Sequence, residues 1–239
     1  MTVDTAPFTL EITQDAPAVF HAPPCCGSLD LRLGDCMEGM KTFADDYFDL
    51  AIVDPPYGIG RDGAERTTSE HGGRKAHERK GWDSKPPGPE YFAELRRVSK
   101  HQIIWGANYY PEHLSASMGW IFWDKGQRIC NSDGELAYSS FARALRVVEM
   151  NRVELLKEGT IHPTQKPVKL YKWLISNYAK PGQRVLDTHM GSGSIAIAAH
   201  YSGIHLTAYE IDADYYEAAK ARIARETSQA ELFSHPNYK

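Results

Sequence analysis

The chain has 239 residues, 42% of them hydrophobic and 24% charged, with a formal net charge of -4 and four cysteines. These values suit a globular domain able to bury a core without disulfides or metals; they exclude a fibre, wholesale disorder and tight nucleic-acid binding through bulk charge alone. Cys25 and Cys26 are adjacent, and Cys36 and Cys130 show no metal-ligand spacing, so a reducing cytoplasm and no metal site are expected.

Residues 1–28, with Pro7, Pro17, Pro23 and Pro24, read as an extended arm laid over the body. The arm has no basic start and no long apolar run, so neither a signal peptide nor a membrane span is expected. Leu29–Leu33 alternates as a strand, Met37–Phe43 can form a short helix, and Leu50–Val53 is an apolar strand, together a β-α-β step. From Arg61 to Pro89 the chain is polar, glycine-rich and without periodicity, which marks a long loop. A helix over Pro89–Val98 follows, then strands over Gln102–Trp105, Trp120–Trp123 and Glu135–Phe141. Pro167 opens a helix that carries Leu170, Trp173, Leu174 and Tyr178 on one face and stops at Lys180-Pro181-Gly182. Arg184–Leu186 is a strand, a glycine turn starts a helix through Tyr201, His205–Tyr209 is the next strand, and Ala213–Glu226 is the last helix. The pattern predicts an α/β domain over 29–239 with a doubly wound, mostly parallel sheet.

Two clusters carry chemistry. Asp54-Pro55-Pro56-Tyr57-Gly58 closes the Leu50–Val53 strand, putting a carboxylate, an acceptor carbonyl and an aromatic ring at the ligand-binding edge of the sheet. The prolines remove backbone donors, so the turn is rich in acceptors and suits a planar amine; an ordinary strand-ending turn is the competing reading of these residues alone. In the second cluster, Asp187 precedes Gly191-Ser192-Gly193 at a strand-to-helix turn, and Glu210 ends the neighbouring strand, where its carboxylate can accept ribose hydroxyls. That pair proposes an adenosine-containing cofactor. The full G-x-G-x-x-G spacing for a pyrophosphate is missing, which favours S-adenosylmethionine, its cationic groups near Asp187, over a dinucleotide. Tight helix-sheet packing and a dehydrogenase both remain open for this segment. Asp35 can either reach an adenine amino group or cap its loop. Arg74, Lys75, Arg79 and Lys80, interspersed with His71 and His77, form the densest basic stretch, either a phosphate contact or a solvated surface.

The segments DPPYG, IHPTQKPVKL and VLDTHMGSGS, in that order, resemble the amino-group DNA methyltransferases, the adenine-N6 and cytosine-N4 group. IIWGANYY, WIFWDKG and SDGELAYSSF are also similar to family sequence, so the resemblance spans Leu29 to Arg225. Having the catalytic motif before the cofactor motif is similar to the permuted β subclass. The resemblance implies a Rossmann-like methyltransferase fold with a DNA-recognition insertion within about 61–159. It further implies methyl transfer from S-adenosylmethionine to N6 of a flipped-out adenine in double-stranded DNA. Cytosine-N4 methylation is the runner-up, and a noncatalytic DNA-binding module on the same scaffold is the alternative from another class. Carried over, it assigns Asp54, Pro55, Pro56 and Tyr57 to the target base. Asp35, Cys36, Asp187, His189, Gly191, Ser192, Gly193, Glu210 and Ile211 go to the cofactor, with His162, Thr164, Gln165 and Lys166 along its methionine end. Arg74, Lys75, Arg79 and Lys80 go to DNA, and a homodimer is admitted. One departure stands out: Asp187-Thr188-His189 replaces the family's usual Asp-Pro-Phe, putting a polar wall where an apolar one is expected.

Overall fold

A computed structural model describes residues 18–21, 27–63, 78–126, 132–151 and 159–233. Its centre is a sheet of nine strands. These are β1 (Ala18–His21), β2 (Ser28–Leu33), β3 (Leu50–Val53), β4 (Gln102–Trp105), β5 (Ile121–Asp124), β6 (Gly134–Ser139), β7 (Arg146–Glu149), β8 (Arg184–Asp187) and β9 (His205–Glu210). Their spatial order is β1-β2-β9-β8-β3-β4-β6-β5-β7. The run from β2 to β4 is parallel throughout, β1 and β6 pair antiparallel to their neighbours, and β7 lies parallel to β5 at the far edge. Among the described residues five α-helices accompany the sheet: α1 (Cys36–Met40), α2 (Pro89–Val98), α3 (Val168–Tyr178), α4 (Ser194–His200) and α5 (Ala213–Phe233).

The central strands read as unbroken apolar runs because both faces of the sheet are covered. Successive side chains point to opposite faces. Leu50, Ile52, Ile103 and Trp105 therefore pack with α3, α4 and α5 residues such as Leu174, Ile195 and Ile223. Ala51, Val53 and Ile104 pack on the other side with Phe92 and Leu95 of α2 and Met40 of α1. The chain leaves β3 toward β4 in one direction and leaves β8 toward β9 in the other, yet β3 and β8 lie side by side, with Leu50 opposite Val185 and Ala51 opposite Leu186. Strand order therefore reverses between them. In an open α/β sheet the crevice beyond the carboxyl ends at such a reversal is where ligands bind, and Asp54 and Asp187 stand at those two ends.

The fold is the Rossmann-like sheet expected from the sequence. The sequence pattern does not reveal β1, in the proline-rich arm, or β7, whose Arg146-Val147-Val148-Glu149 buries only Val148, as an edge strand can. The expected Met37–Phe43 helix stops at Met40, and the last helix continues past Glu226 to Phe233. Among the described residues no helix is long and apolar enough to cross a membrane, and no group of His, Cys, Asp or Glu is arranged to hold a metal ion.

Candidate active site

β3 delivers Asp54 to the crevice, and its carboxylate is gripped from two sides. The Tyr57 hydroxyl donates to Oδ1 at 2.6 Å, and the Lys166 ammonium donates to Oδ2. Lys166 is almost fully buried; it also reaches Glu135 Oε2 at 3.0 Å and the Tyr57 oxygen at 3.2 Å, with the rings of Trp105 and Tyr57 about it. Lys125 pairs with the other Glu135 oxygen at 2.7 Å. Burial pushes the Asp54 carboxyl up, against the pull of Lys166. Burial also works against Glu135, but Lys166 and Lys125 outweigh it and hold that carboxyl down at about 2. Burial would discharge Lys166, yet Asp54 and then Glu135 overcome it and keep the ammonium charged. Buried charges persist only when paired in this way.

The Tyr57 ring stacks on Tyr109, with centroids 4.9 Å apart and planes 15° from parallel. Its seat is the backbone of Gly106, which has φ +67° and where an added Cβ would fall 2.0 Å from the ring. Gly106→Ala is therefore expected to cost about 1–3 kcal/mol in stability through the left-handed backbone alone, and to push the ring off its seat. A lowered urea midpoint with an altered near-ultraviolet circular dichroism spectrum would show both; an unchanged midpoint would count against the seating. Asp54, Pro55, Pro56 and Tyr57 line one wall of a cavity of about 430 Å³, faced by Phe122, Trp123 and Glu135 from β5 and β6.

A second cavity, of about 320 Å³, opens over the glycine turn between β8 and α4. Gly191 and Gly193 take positive φ of 53° and 72°, which glycine adopts at no steric cost. The turn is held from below by buried Arg222, which donates at 2.9 Å to both the Ser192 carbonyl and the Ser194 hydroxyl. Glu210, at the end of β9, accepts the Gly191 N–H at 2.8 Å and the Asp212 N–H at 3.0 Å; burial raises its carboxyl. Each carboxylate oxygen retains a second lone pair. His162, Thr164, Gln165, Lys166, His189, Gly191, Ser192, Glu210 and Ile211 all line this cavity. Ile211 is 67% exposed, an aliphatic side chain left at the rim where a flat ring would cover it.

Other expected cofactor residues stand back from the lining. Asp35 caps α1, accepting the Met37 N–H at 2.8 Å, so the capping alternative is the one its geometry favours. Cys36 is pushed up to about 12 by burial and then by Asp35 and Asp187, a thiol that stays protonated. Asp187 is buried behind the floor, where its Oδ1 accepts the His189 N–H at 3.0 Å. Burial, with Asp54 and Glu210 nearby, raises its carboxyl to about 8. His189 occupies the place of the apolar residue, and burial lowers it to about 4, so its imidazole is neutral. The polar substitution thus presents an uncharged wall, edge-on to Tyr91 at 5.6 Å.

The returning limb of the long loop supplies parts that local sequence did not signal. Trp82 lines both cavities and stacks on His162 at 5.2 Å. Buried Asp83 fixes the turn after Tyr57 by accepting the Gly58 and Arg61 N–H groups at 2.8 and 2.7 Å. Of the basic residues expected at DNA, Arg74 and Lys75 lie outside the described residues and Arg79 is exposed. Lys80 pairs with Asp212 and Asp214, each at 2.7 Å, and lies over the Tyr215 ring, fastening the loop beside the second cavity. Glu135 and Lys125 were also missed, because their partners lie on other strands and in the segment before α3.

The sequence profile of a family described as DNA methylase matches residues 111–221. A putative methylase, YubD, of Escherichia coli is 27% identical over 207 residues, covering 80% of this chain and 88% of its own. Among solved structures, the M1.HpyAVI-SAM complex superposes with a TM-score of 0.56 at 20% identity, covering 82% of this chain and 98% of that one. The PvuII cytosine-N4-specific DNA methyltransferase gives a TM-score of 0.56 at 11% identity, covering 85% and 91%. At those identities the two structures speak to the fold.

Proposed function

We propose that the chain is a DNA methylase of the N6/N4 amino-methyltransferase family that acts on an exocyclic base amine, that the amine is N6 of adenine, and that the methyl donor is S-adenosylmethionine. The observation that carries this reading is that Asp54 lines both cavities. A base in the first cavity and a methyl donor over the glycine turn would then meet at one carboxylate. Two features support the fit of the donor. Glu210 keeps lone pairs for a ribose diol, and Ile211 with Trp82 offers apolar cover for an adenine ring. When bound, the donor supplies an electrophilic methyl group on a sulfonium.

The residues of the chain do the rest. An exocyclic amine is a weak nucleophile because its lone pair is shared with the ring. Asp54 and the Pro55 carbonyl accept its N–H bonds, favour a pyramidal nitrogen and aim its lone pair at the methyl. Alignment of reactants held in this way is worth several kcal/mol. As the nitrogen–methyl bond forms and the methyl–sulfur bond breaks to leave a neutral thioether, positive charge would grow on nitrogen beside the Asp54 carboxylate, which would stabilise it and take the departing proton. Tyr57, backed by Tyr109, offers a stacking face to a base extruded from the duplex, offsetting roughly a few kcal/mol of unstacking.

Digestion of treated DNA to nucleosides and mass spectrometry tests the reading: N6-methyladenine is expected, and N4-methylcytosine alone would replace it with the second reading. Glu210→Gln keeps the shape and removes the charge from the acceptor. The variant is expected to weaken S-adenosylmethionine binding by about 10-fold or more, the worth of a charged hydrogen bond, as read by calorimetric titration.

A further inference from the structure

Beside Asp54 lies a second carboxylate that methyl transfer, as described, leaves without a task. Glu135 sits on β6, opposite Trp123 of β5 in the strand register, and points at the same ammonium that holds Asp54. The arrangement poses an electrostatic problem for the reaction. Each Asp54 oxygen keeps a second lone pair beside its present donor, the Tyr57 hydroxyl at Oδ1 and Lys166 at Oδ2, but a carboxylate paired with an ammonium is a weaker acceptor and base for an amine N–H. Tyr57 is fixed, its ring wedged between Gly106 and Tyr109. Lys166 is the one that can yield, because an ammonium carries three donors on a flexible stem. It cannot retreat to water, since it is 3% exposed. Glu135 Oε2, at 3.0 Å, gives it a second anion to move to without being desolvated a second time.

We propose that Glu135 is a positioning residue: it takes full hold of Lys166 as the target amine enters and so frees Asp54 Oδ2 to accept the N–H. Lys125, on the other Glu135 oxygen at 2.7 Å, keeps that carboxylate ionised and in place. Between turnovers Lys166 returns to Asp54 and favours its charged form against the burial that raises that carboxyl. No covalent bond changes in this exchange; one ammonium shifts its weight between two carboxylates. The inference rests on the amine-methylation reading above.

The test is a set of substitutions assayed for methyl transfer at saturating S-adenosylmethionine, on DNA that the wild-type protein methylates. Glu135→Gln preserves shape and hydrogen bonding but removes the charge, so kcat is expected to fall on the order of 100-fold while cofactor affinity stays within about threefold. Glu135→Asp, which keeps the charge on a shorter arm, is expected to recover much of the rate. A purely structural role predicts the reverse ranking. Adding Lys166→Met to Glu135→Gln removes the ammonium paired with Asp54. Compared at the pH optimum of each, the double variant is expected to be faster than Glu135→Gln alone. Removing both partners also spares the fold an unpaired buried charge, and thermal melts of each variant confirm folding. An active wild type with Glu135→Gln within about threefold of its kcat overturns the assignment alone, as does a double variant slower than the single. An inactive wild type overturns both the assignment and the reading on which it rests.

Discussion

Asp54→Asn is expected to lower the methyl-transfer rate by at least about 1,000-fold while leaving S-adenosylmethionine affinity within about threefold. Asparagine retains one acceptor oxygen but loses the charge, and its amide presents donors where the incoming amine presents donors too. Two contributions disappear together: the carboxylate that stabilises the growing positive charge, typically worth about 100- to 1,000-fold at a preorganised site, and the base that takes the proton, worth about 100-fold or more. Their effects overlap because one group does both, so the expected loss is about 4–5 kcal/mol in activation free energy rather than the sum. Cofactor binding is spared because Glu210, the glycine turn and Trp82 lie on other segments. The fold is spared because Lys166, deprived of Asp54, retains Glu135 at 3.0 Å. Single-turnover transfer of a labelled methyl group, beside calorimetric titration with the cofactor, separates the two effects. A rate within tenfold of wild type would remove Asp54 from the reaction.

The parts of this site that could be read in the sequence are those built by one short stretch of chain. DPPYG follows four apolar residues, so its place at the end of a buried strand, and hence at the sheet's ligand edge, follows from period and position alone. The same holds for Gly191 and Gly193 ahead of α4 and for Glu210 at the end of β9. What stayed hidden depends on pairings between distant segments. Glu135 meets Lys166 because β6 runs antiparallel to β4, and nothing near position 135 announces that neighbour. Lys80 belongs to the densest basic stretch, and only the fold shows its charge consumed by Asp212 and Asp214. Asp35 is fixed by a local bond: its Oδ1 caps the first turn of α1, a common role of an Asp at that position, and its second oxygen is left to a further partner.

The reversal between β3 and β8 also explains why carboxylates crowd here. Asp54, Asp187 and Glu210 all end strands, so each emerges at the same edge, and their mutual repulsion adds to the cost of burial. A cluster of buried carboxyl groups around one cavity is unfavourable for folding but suited to a cationic ligand. The cost is expected to be measurable in the protein without cofactor.

Asp187 makes that cost specific. Its folded carboxyl titrates at about 8, raised by burial and then by Asp54 and Glu210, whereas an unfolded Asp titrates near 3.9. Between those values the folded state holds a proton that the unfolded state has released, so stability falls as pH rises. The slope approaches about 1.4 kcal/mol per pH unit. His189 acts in the opposite sense, because its imidazole titrates at about 4 when folded and near 6.5 when unfolded, but that effect is half spent by about pH 6.5 and nearly complete by about pH 7.5. From about pH 6.5 to 8 the carboxylate's effect is therefore the larger. Across that window Asp187 is expected to cost the ligand-free protein roughly 1.5–2 kcal/mol, offset by a few tenths from His189, a fall of several degrees in Tm for a chain of this size. Glu210, also raised by burial, slopes the same way, so the decisive quantity is the difference from Asp187→Asn, which keeps the shape and discards the proton. That variant should lose most of the dependence. Saturating S-adenosylmethionine should do the same to the wild type, because a cation beside Asp187 favours its ionised form and draws its titration back below the window. If the wild-type slope survives saturation, the cationic end of the cofactor does not come near Asp187.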